Sequence, residues 1–167
     1  MGEISRGSFT QAKSLLLVLS LLLQLGGCSI FYAPQKKPLP PEGSACSLVR
    51  TAYTQIGNNY AAGCASPRKG FDCSGLVWWA YRQHGYKIPR TTTEQARAGK
   101  PIHKSKLKAG DILVFKTGDS PRDLHTGLYA GSDQFIHSPS SGKNIRLDSI
   151  RSRYWSQNLV AARRILR

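Results

Sequence analysis

One cysteine and two histidines in this chain are residue types that can carry out nucleophilic chemistry. Cys73 stands where a loop rich in Gly, Asn and Pro gives way to an apolar run, so we expect it in the first turn of a helix. The free backbone N–H groups and the dipole at a helix N-terminus stabilise a thiolate. Ser74 and Gly75 are small and leave room for a carbonyl group to approach. Taken alone, however, Cys73 fits a small buried core residue better than a nucleophile.

The two histidines favour a functional interpretation of the cysteine. His125 precedes a predicted strand at residues 126–130, and His137 lies near the end of the next one, at residues 134–138. If these strands pair through the turn at residues 131–133, both imidazoles reach the same end of one hairpin. One histidine could then take the proton of a thiol while the other orients it, which is the nucleophile, base and orienter arrangement of hydrolases.

The elements around these residues change from helical to strand-like along the chain. Apolar residues at helical spacing predict a helix from Ser44 to about Gly57 and another from Asp72 to about Gly85, with a short third helix at residues 93–98. After these the period becomes two, which predicts strands at residues 111–116, 126–130, 134–138, 144–147 and 159–166. Helices followed by strands indicate an α+β domain with an antiparallel sheet of about five strands.

The N-terminal residues have the composition of an export signal. Arg6 and Lys13 precede an apolar run at residues 14–25, which is 12 residues long. A helix that spans a bilayer needs about 20 residues, so residues 1–27 are predicted to be a signal peptide rather than a membrane anchor. The sequence LGGC at its end is similar to the bacterial lipobox, which predicts lipidation of Cys28. An ordinary signal peptide that ends in a cysteine and an uncleaved helix are the alternatives.

The residues after Cys28 predict where the anchor lies and how far the domain stands from it. Ser29 takes the place where, in bacterial lipoproteins, an aspartate would favour the inner membrane, so we expect the outer membrane, with the protein facing the periplasm. Residues 28–43 contain four prolines and no periodic pattern, which predicts an extended tether. Simple terminal disorder is the alternative. The domain itself is expected to cover residues 44–167.

The net charge of this 167-residue chain is +15, which favours a polyanionic partner. Without residues 1–27, 22 positive and 8 negative side chains remain, so +14 of this charge belongs to the exported part. Because of the export signal we expect no nucleic-acid partner, but cell-wall polymer first and an anionic membrane surface second. The four cysteines have no CxxC spacing and no Cys/His cluster, so we expect no metal and no cofactor.

Five segments carry further information in their order and spacing: FDCSGLV at residues 71–77, PRT at 89–91, LKAGDI at 107–112, HTGLYAG at 125–131 and FIHSP at 135–139. Together they resemble the NlpC/P60 family of cell-wall peptidases, over roughly residues 45–166. The resemblance implies a compact papain-like α+β fold with N-terminal helices packed on the sheet. It also implies hydrolysis of peptide bonds in the stem peptides or cross-links of peptidoglycan (murein).

The same resemblance implies a role for each residue of the catalytic set. Cys73 is then the nucleophile, His125 the general base and later the general acid, and His137 the polar residue that orients His125.

Further residues near Cys73 take implied roles in binding the substrate. Tyr60 matches a tyrosine that the family places near the oxyanion, to which the backbone N–H of Cys73 or Ser74 could also contribute. In family members that bind a free stem amine, the acidic residue before the cysteine takes part, and here that residue is Asp72.

The segment after Tyr60 departs from the family pattern. The family has Tyr-x-Trp-Gly-Gly there, whereas in this chain Ala62 replaces the aromatic residue and Cys64 replaces the second glycine. The periplasm permits disulfides and Cys46 lies 18 residues upstream of Cys64. We therefore predict a Cys46–Cys64 bridge, which would contribute about 3 kcal/mol in the chain-entropy model. Two free thiols, or a regulatory bridge between Cys64 and Cys73, are the alternatives.

These observations predict a monomeric, lipid-anchored murein endopeptidase of the cysteine peptidase class, acting through an acyl-enzyme at Cys73. The alternative is a catalytically weak or inactive wall-binding lipoprotein with the same fold, because the segment after Tyr60 departs from the family pattern. Acyl transfer on lipids is a third hypothesis, and only the predicted membrane anchor supports it.

Overall fold

The computed structural model describes residues 44–140 and 142–166. The signal peptide predicted for residues 1–27, the lipidated Cys28 and the tether predicted for residues 28–43 lie outside the described residues and stay predictions. Among the helices of the described residues, none is long and apolar enough to cross a bilayer.

The described residues form an α+β domain with four α-helices and eight strands. The helices are α1 (Ser44–Tyr53), α2 (Cys73–Gln83), α3 (Thr92–Gln95) and α4 (Arg153–Asn158). The strands are β1 (Ala65–Ser66), β2 (Gly70–Phe71), β3 (Lys100–Pro101), β4 (Ile112–Lys116), β5 (Leu124–Gly131), β6 (Gln134–His137), β7 (Arg146–Ser149) and β8 (Leu159–Arg164). The three helices and five strands that the sequence predicts are confirmed, with ends that shift by a few residues.

Six strands form one antiparallel sheet in the order β3-β8-β4-β5-β6-β7, and β1 pairs with β2 in a separate hairpin. The prediction of about five strands is therefore corrected to six. The additional strand, β3, consists of Lys100 and Pro101 and pairs at the sheet edge with Arg164 and Arg163 of β8. Two residues have no alternating pattern that could reveal a strand, and proline is tolerated at such an edge.

Apolar residues cover both faces of the sheet. Ile112 and Leu128, from β4 and β5, pack in one buried cluster with the apolar residues of α1 and α2. The neighbouring positions Leu113 and Tyr129 belong to a second cluster, against which Trp155 of α4 packs. Successive side chains of a strand point to opposite faces, so α1 and α2 lie on one face of the sheet and α4 on the other.

Helix α2 is fixed at both ends. At its N-terminus the Asp72 side chain accepts a hydrogen bond from Gly75 N at 2.6 Å, which caps the helix. Near its C-terminus the buried Tyr81 hydroxyl donates to Gly110 O at 2.6 Å, just before β4. The first residue of α2 is therefore held in a defined position relative to the sheet.

Strands β5, β6 and β7 follow one another in the chain and lie side by side in the sheet. The turn between β5 and β6 contains three consecutive residues with positive φ, Gly131, Ser132 and Asp133. The Tyr129 hydroxyl accepts a hydrogen bond from Asp133 N at 3.1 Å and supports this turn. This three-strand meander brings residues about a dozen positions apart into contact.

All three cysteines of the described residues are free thiols: Cys46, Cys64 and Cys73. The predicted Cys46–Cys64 bridge is therefore wrong, because the two residues lie at opposite ends of α2. Ala45, next to Cys46, packs against Gly110, to which the C-terminal end of α2 is bonded. Cys64 O accepts from Asp72 N at 3.0 Å, at the N-terminal end. A helix of this length extends about 16 Å, whereas a disulfide joins Cα atoms less than about 7 Å apart.

Candidate active site

Cys73 is the first residue of α2 and is partly buried. Its Sγ lies 3.6 Å from Oγ1 of Thr92, the first residue of α3. Within the described residues, no backbone acceptor bonds the N–H of Cys73 or Ser74. Both N–H groups are therefore among the donors at the N-terminus of a helix that have no acceptor within the helix. At such a position they favour a thiolate, or a negatively charged oxygen bound beside it.

The carboxylate of Asp72, the residue before Cys73, accepts hydrogen bonds from other groups of the protein. Asp72 accepts from Gly75 N at 2.6 Å and from Gly63 N at 2.9 Å, and Arg90 donates to its two oxygens at 2.9 and 2.8 Å. The buried Ser74 hydroxyl donates to Asp72 at 3.3 Å and accepts from Arg90 at 3.0 Å. These contacts hold the N-terminus of α2. Contacts of Asp72 and Ser74 with a substrate stay predictions.

Gly75 allows the segment that carries Cys64 to approach the helix. A Cβ at Gly75 would collide with Cys64 O and would lie 2.8 Å from Asp72 Oδ1. Arg90 Nη2 also donates to Cys64 O, at 3.2 Å. The segment that departs from the family pattern is thus tied to the nucleophile helix through the backbone of Cys64.

His125 lies in β5 and His137 ends β6, and both side chains are buried. His125 Nε2 and His137 Nδ1 are 2.8 Å apart, so the predicted approach of the two imidazoles is confirmed. Gly127 makes room for it, because a Cβ there would lie 2.6 Å from Phe135 Cδ2 and 3.2 Å from His137 Cβ. A larger residue at 127 would press His137 away from β5.

Two residues that the sequence analysis missed complete the site. Asp148 Oδ2 lies 2.9 Å from His137 Nε2, and it also accepts from Arg146 Nη2 at 2.9 Å and from Trp155 Nε1 at 3.0 Å. The Trp155 ring stacks on His125, with ring centroids 5.5 Å apart. Asp148 therefore ends a chain of hydrogen bonds that starts at His125, and Trp155 shields one side of that chain from water.

These hydrogen bonds determine the tautomers of both histidines. The ionised Asp148 is only an acceptor, so His137 donates Nε2–H to it and keeps Nδ1 as an acceptor. His125 then donates Nε2–H to His137 Nδ1 and keeps a lone pair on its own Nδ1. The hydrogen bonds that run from Asp148 through His137 to His125 therefore leave His125 with one lone pair, on Nδ1, which can act as a base.

Burial keeps both imidazoles neutral. It lowers the pKa of His125, an effect to which His137 adds and which Asp148 opposes. Burial also lowers the pKa of His137, opposed by Asp148 and reinforced by Arg146 and Lys143. For Asp148, burial acts to raise the pKa, but the hydrogen bonds from its donors, Arg146 first, hold the pKa below its usual value. Neutral imidazoles beside an ionised carboxylate agree with the tautomers that the hydrogen bonds require.

The nucleophile helix and the histidine strands are joined by one buried hydrogen bond. Ser138, directly after His137, donates its hydroxyl to Phe71 O at 2.7 Å, two residues before Cys73. The two halves of the site are therefore fixed to each other through the backbone beside the functional side chains.

A cavity of about 490 Å³ lies where the two halves meet. Its wall includes Thr92, which contacts the Cys73 sulfur, and Leu124, which precedes His125. Within the described residues, Cys73 and His125 form no hydrogen bond with each other, since the thiol lies against Thr92. Bonds of this kind are often long without substrate and tighten when one binds.

Tyr60 lies close to the nucleophile, as the resemblance implies. It forms a single parallel bridge with Phe71. Burial raises the pKa of its phenol, and the charges of Cys73 and Asp72 raise it further. The phenol therefore keeps its proton and is a hydrogen-bond donor. Its contribution to an oxyanion site stays a prediction.

Asp148 and Trp155 gave weak signals in the sequence. Asp148 lies just beyond the predicted end of its strand, and an acid that alternates with Arg146 there resembles an exposed strand face. Trp155 lies in α4, whose one sequence signal is the capping Ser152. Only the fold shows that both side chains converge on the histidines.

The fold and the site define a papain-like α+β domain that combines a cysteine at a helix N-terminus with a pair of hydrogen-bonded histidines on the sheet. The chain belongs to the NlpC/P60 family, whose model matches residues 57–164.

Relatives and solved structures agree with this membership. The chain is 44% identical over 115 residues to murein DD-endopeptidase MepH of Escherichia coli (strain K12), covering 67% of this chain and 42% of the relative. It is 39% identical over 102 residues to murein DD-endopeptidase MepS/murein LD-carboxypeptidase of the same strain, covering 60% and 53%. A crystal structure of an NlpC/P60 family protein from Bacillus cereus ATCC 10987 superposes with a TM-score of 0.70 at 30% identity, covering 76% and 42%. The chain thus spans about half the length of these relatives.

Replacing Asp148 by alanine is expected to slow the alkylation of Cys73 by iodoacetamide at neutral pH by about tenfold or more, since general-base assistance contributes about 100-fold or more. Without its acceptor, His137 can adopt the other tautomer, and His125 then no longer presents a lone pair to the thiol. Peptide mass spectrometry separates the reaction of Cys73 from those of Cys46 and Cys64.

Two further variants control this experiment. Asp148→Asn keeps an oxygen acceptor for His137 and is expected to restore part of the rate. Asp133→Asn removes a carboxylate of the same meander that pairs with the exposed Arg151, and it is expected to leave the rate unchanged. Equal rates for Asp148→Ala and Asp133→Asn would contradict the positioning role of Asp148.

The free energy of unfolding is expected to fall as the pH decreases from 7 to 5. The folded histidines have pKa values below the usual value of about 6.5, so in this range the unfolded chain takes up protons that the folded chain does not. The contribution of the two histidines to the free energy of unfolding is therefore complete above a pH of about 6.5. It is lost progressively as the pH falls below this value, by up to about 2 kcal/mol for each buried histidine at pH 5. Urea denaturation across this pH range measures the loss.

Two histidine variants test the cause of this pH dependence. His137→Asn removes one buried imidazole and is expected to reduce the slope of stability against pH by roughly half. His103→Asn removes an exposed imidazole and is expected to leave the slope unchanged. A slope that His137→Asn does not alter would refute the assignment to the buried pair.

Proposed function

We propose that this protein is a peptidoglycan (murein) endopeptidase that hydrolyses peptide bonds of stem peptides or cross-links through an acyl-enzyme on Cys73. The observation that carries the proposal is the hydrogen-bond chain from Asp148 through His137 to His125, together with Cys73 at the N-terminus of α2, whose neighbours Asp72 and Ser74 line the same cavity as Leu124, next to His125. The two Escherichia coli relatives are named murein DD-endopeptidases, and this supports the substrate class.

In the first half of the proposed reaction, His125 Nδ1 takes the proton of the Cys73 thiol, and the thiolate attacks the carbonyl carbon of the scissile amide. The carbonyl oxygen becomes an oxyanion, for which the N–H groups of Cys73 and Ser74 and the Tyr60 phenol are available donors. His125 then gives its proton to the amide nitrogen, the C–N bond breaks, and the amine leaves. A thioester on Cys73 remains.

In the second half, water replaces the amine. His125 Nδ1 takes a proton from the water as its oxygen attacks the thioester carbon. The carbon–sulfur bond breaks, the acid product leaves, and Cys73 recovers its proton from His125. Throughout, Asp148 stabilises the positive charge that the two histidines carry while His125 holds the proton.

We also propose that Cys28 is lipidated, that residues 1–27 are removed, and that the monomeric domain is anchored to the outer membrane on the periplasmic side. The apolar run at residues 14–25 and the sequence LGGC that ends at Cys28 support this location. The positive charge of +14 after processing would concentrate the domain at anionic wall polymer by long-range attraction.

The purified full chain is expected to release soluble peptide fragments from isolated peptidoglycan, and Cys73→Ala is expected to abolish the release. The substitution removes the nucleophile but no contact of the core. The free energy of unfolding, measured by thermal unfolding, is therefore expected to stay within about 1 kcal/mol of the wild type. Mass spectrometry of the released fragments identifies the bond that is cut.

Cys46→Ala is the matched control, because it removes a free thiol distant from the site and is expected to retain the release. Release by Cys73→Ala at the wild-type rate would refute the mechanism. Co-sedimentation of the wild type with insoluble peptidoglycan, without any release, would favour a wall-binding lipoprotein instead.

Bacteria grown with an alkyne analogue of palmitate are expected to label the wild-type protein but not Cys28→Ala, since the thiol of Cys28 is the proposed attachment point. Gel detection after coupling to a fluorophore measures the label. Equal labelling of both proteins would overturn the assignment of the anchor.

A further inference from the structure

A second cavity, of about 530 Å³, has His125 and Trp155 among its lining residues. The other lining residues are Thr117, Pro139, Ser140, Lys143, Arg146 and Tyr154. The cavity thus borders the residue that serves as acid and base in the proposed reaction, but no step of that reaction uses its lysine or its tyrosine.

The charge of this cavity is positive. Lys143 and Arg146 line it, and among the described residues no acidic side chain does. Asp148 offsets the charge of Arg146 through two hydrogen bonds, at 3.2 and 2.9 Å. Among the residues that the structure describes, Lys143 takes part in no ion pair. The cavity therefore presents one positive charge that no carboxylate of the described residues neutralises.

Lys143 is an exposed residue whose backbone N–H and C=O are both hydrogen-bonded. Its carbonyl accepts from Tyr60 N at 3.0 Å, and its own N–H donates to Ser140 O at 3.1 Å. The next residue, Asn144, forms a bridge with Asn59. This lysine therefore extends from a segment whose backbone is bonded to the segment of Tyr60. The charge of Lys143 also reaches the histidine pair. Burial lowers the pKa of His137, and the positive charge of Lys143 lowers it further.

The chemistry of amide cleavage decides which part of a substrate would enter this cavity. His125 protonates the leaving nitrogen, so the leaving amine lies next to that imidazole while the acyl carbon lies at Cys73. The cavity of Thr92 and Leu124 lies beside the nucleophile helix, whereas the cavity of Lys143 has His125 in its wall. The amine-side residue of the substrate is therefore the part that reaches Lys143.

We propose that this cavity is a subsite for a carboxylate on the amine side of the scissile bond, held by Lys143 and by Arg146. A carboxylate would pair with the free ammonium of Lys143 and reach the guanidinium of Arg146, and charge-assisted hydrogen bonds of this kind are the strong ones. The assignment rests on the proposed peptidase function and names the substrate of that same site.

The proposal predicts which bonds of peptidoglycan are preferred. In a cross-link through the side-chain amine of diaminopimelate, the carbon that bears the scissile nitrogen also carries a free carboxylate. Inside a linear stem, this group is lost where the carboxyl beside the nitrogen forms the next amide, but it is kept by a residue that is linked onward through its side-chain carboxyl or that ends the stem. The subsite therefore favours bonds whose amine-side residue keeps its carboxylate, cross-links of this kind among them, and it disfavours bonds in which this group is amidated.

The test uses two synthetic cross-linked peptides that differ only in the carboxylate or carboxamide beside the scissile nitrogen. Binding is measured by calorimetry to the full chain with Cys73→Ala, so that no turnover occurs. The carboxylate peptide is expected to bind about tenfold more tightly, as a charge-assisted contact implies. Adding Lys143→Gln is expected to reduce this ratio to about threefold or less, since only Arg146 then remains.

The matched control is Lys87→Gln, which removes one positive charge from an exposed position after α2 and is expected to keep the tenfold ratio. Arg146 is left unchanged because it also holds Asp148. Equal binding of the two peptides, no binding of either, or a ratio that Lys143→Gln does not reduce would overturn the subsite.

Cleavage by the chain with Cys73 intact separates the two proposals. Cleavage of both peptides at equal rates overturns the subsite and leaves the peptidase function standing. A binding preference that depends on Lys143, without cleavage of either peptide, supports the subsite and contradicts the peptidase function.

Discussion

The site depends on the burial of two neutral imidazoles, those of His125 and His137. Each buried nitrogen must find a partner in the protein, because an unpaired polar group there is costly. Asp148 accepts from His137, and His137 accepts from His125, so the chain leaves one nitrogen of His125 without a partner inside this network. That nitrogen is the base. The catalytic lone pair is thus a consequence of satisfying every other polar group along the chain.

The residues that the sequence made predictable are those whose partners lie close along the chain or whose own type carries the chemistry. Cys73 follows a helix cap, and a cap and an apolar run can be recognised locally. His125 and His137 lie on strands joined by a short turn, and strand alternation places both on one face. The resemblance to the family then added their roles, which the types alone left open.

The residues that could not be predicted owe their positions to packing between distant segments. Asp148 becomes part of the site only through the register of β6 with β7, since nothing in its own sequence surroundings distinguishes it from an exposed acid. The strand β3 is too short to show a pattern. The bridge between Cys46 and Cys64 was inferred from spacing along the chain, but α2 separates the two thiols in space. The number of residues between two cysteines does not determine the distance between their thiols in the fold.

The two halves of the site close loops of very different length. The hydrogen bond between His125 and His137 spans 12 residues, whereas the bond from Ser138 to Phe71 spans 67. Since the entropy of loop closure grows with the logarithm of length, the longer loop costs about 1.5 kcal/mol more. The acid–base half is therefore a local unit of the chain, and the nucleophile joins it only when α2 docks on the sheet. Separation of α2 from the sheet releases the longer loop and therefore regains more chain entropy than separation of the two histidines. In these terms it is the favoured way for the site to come apart.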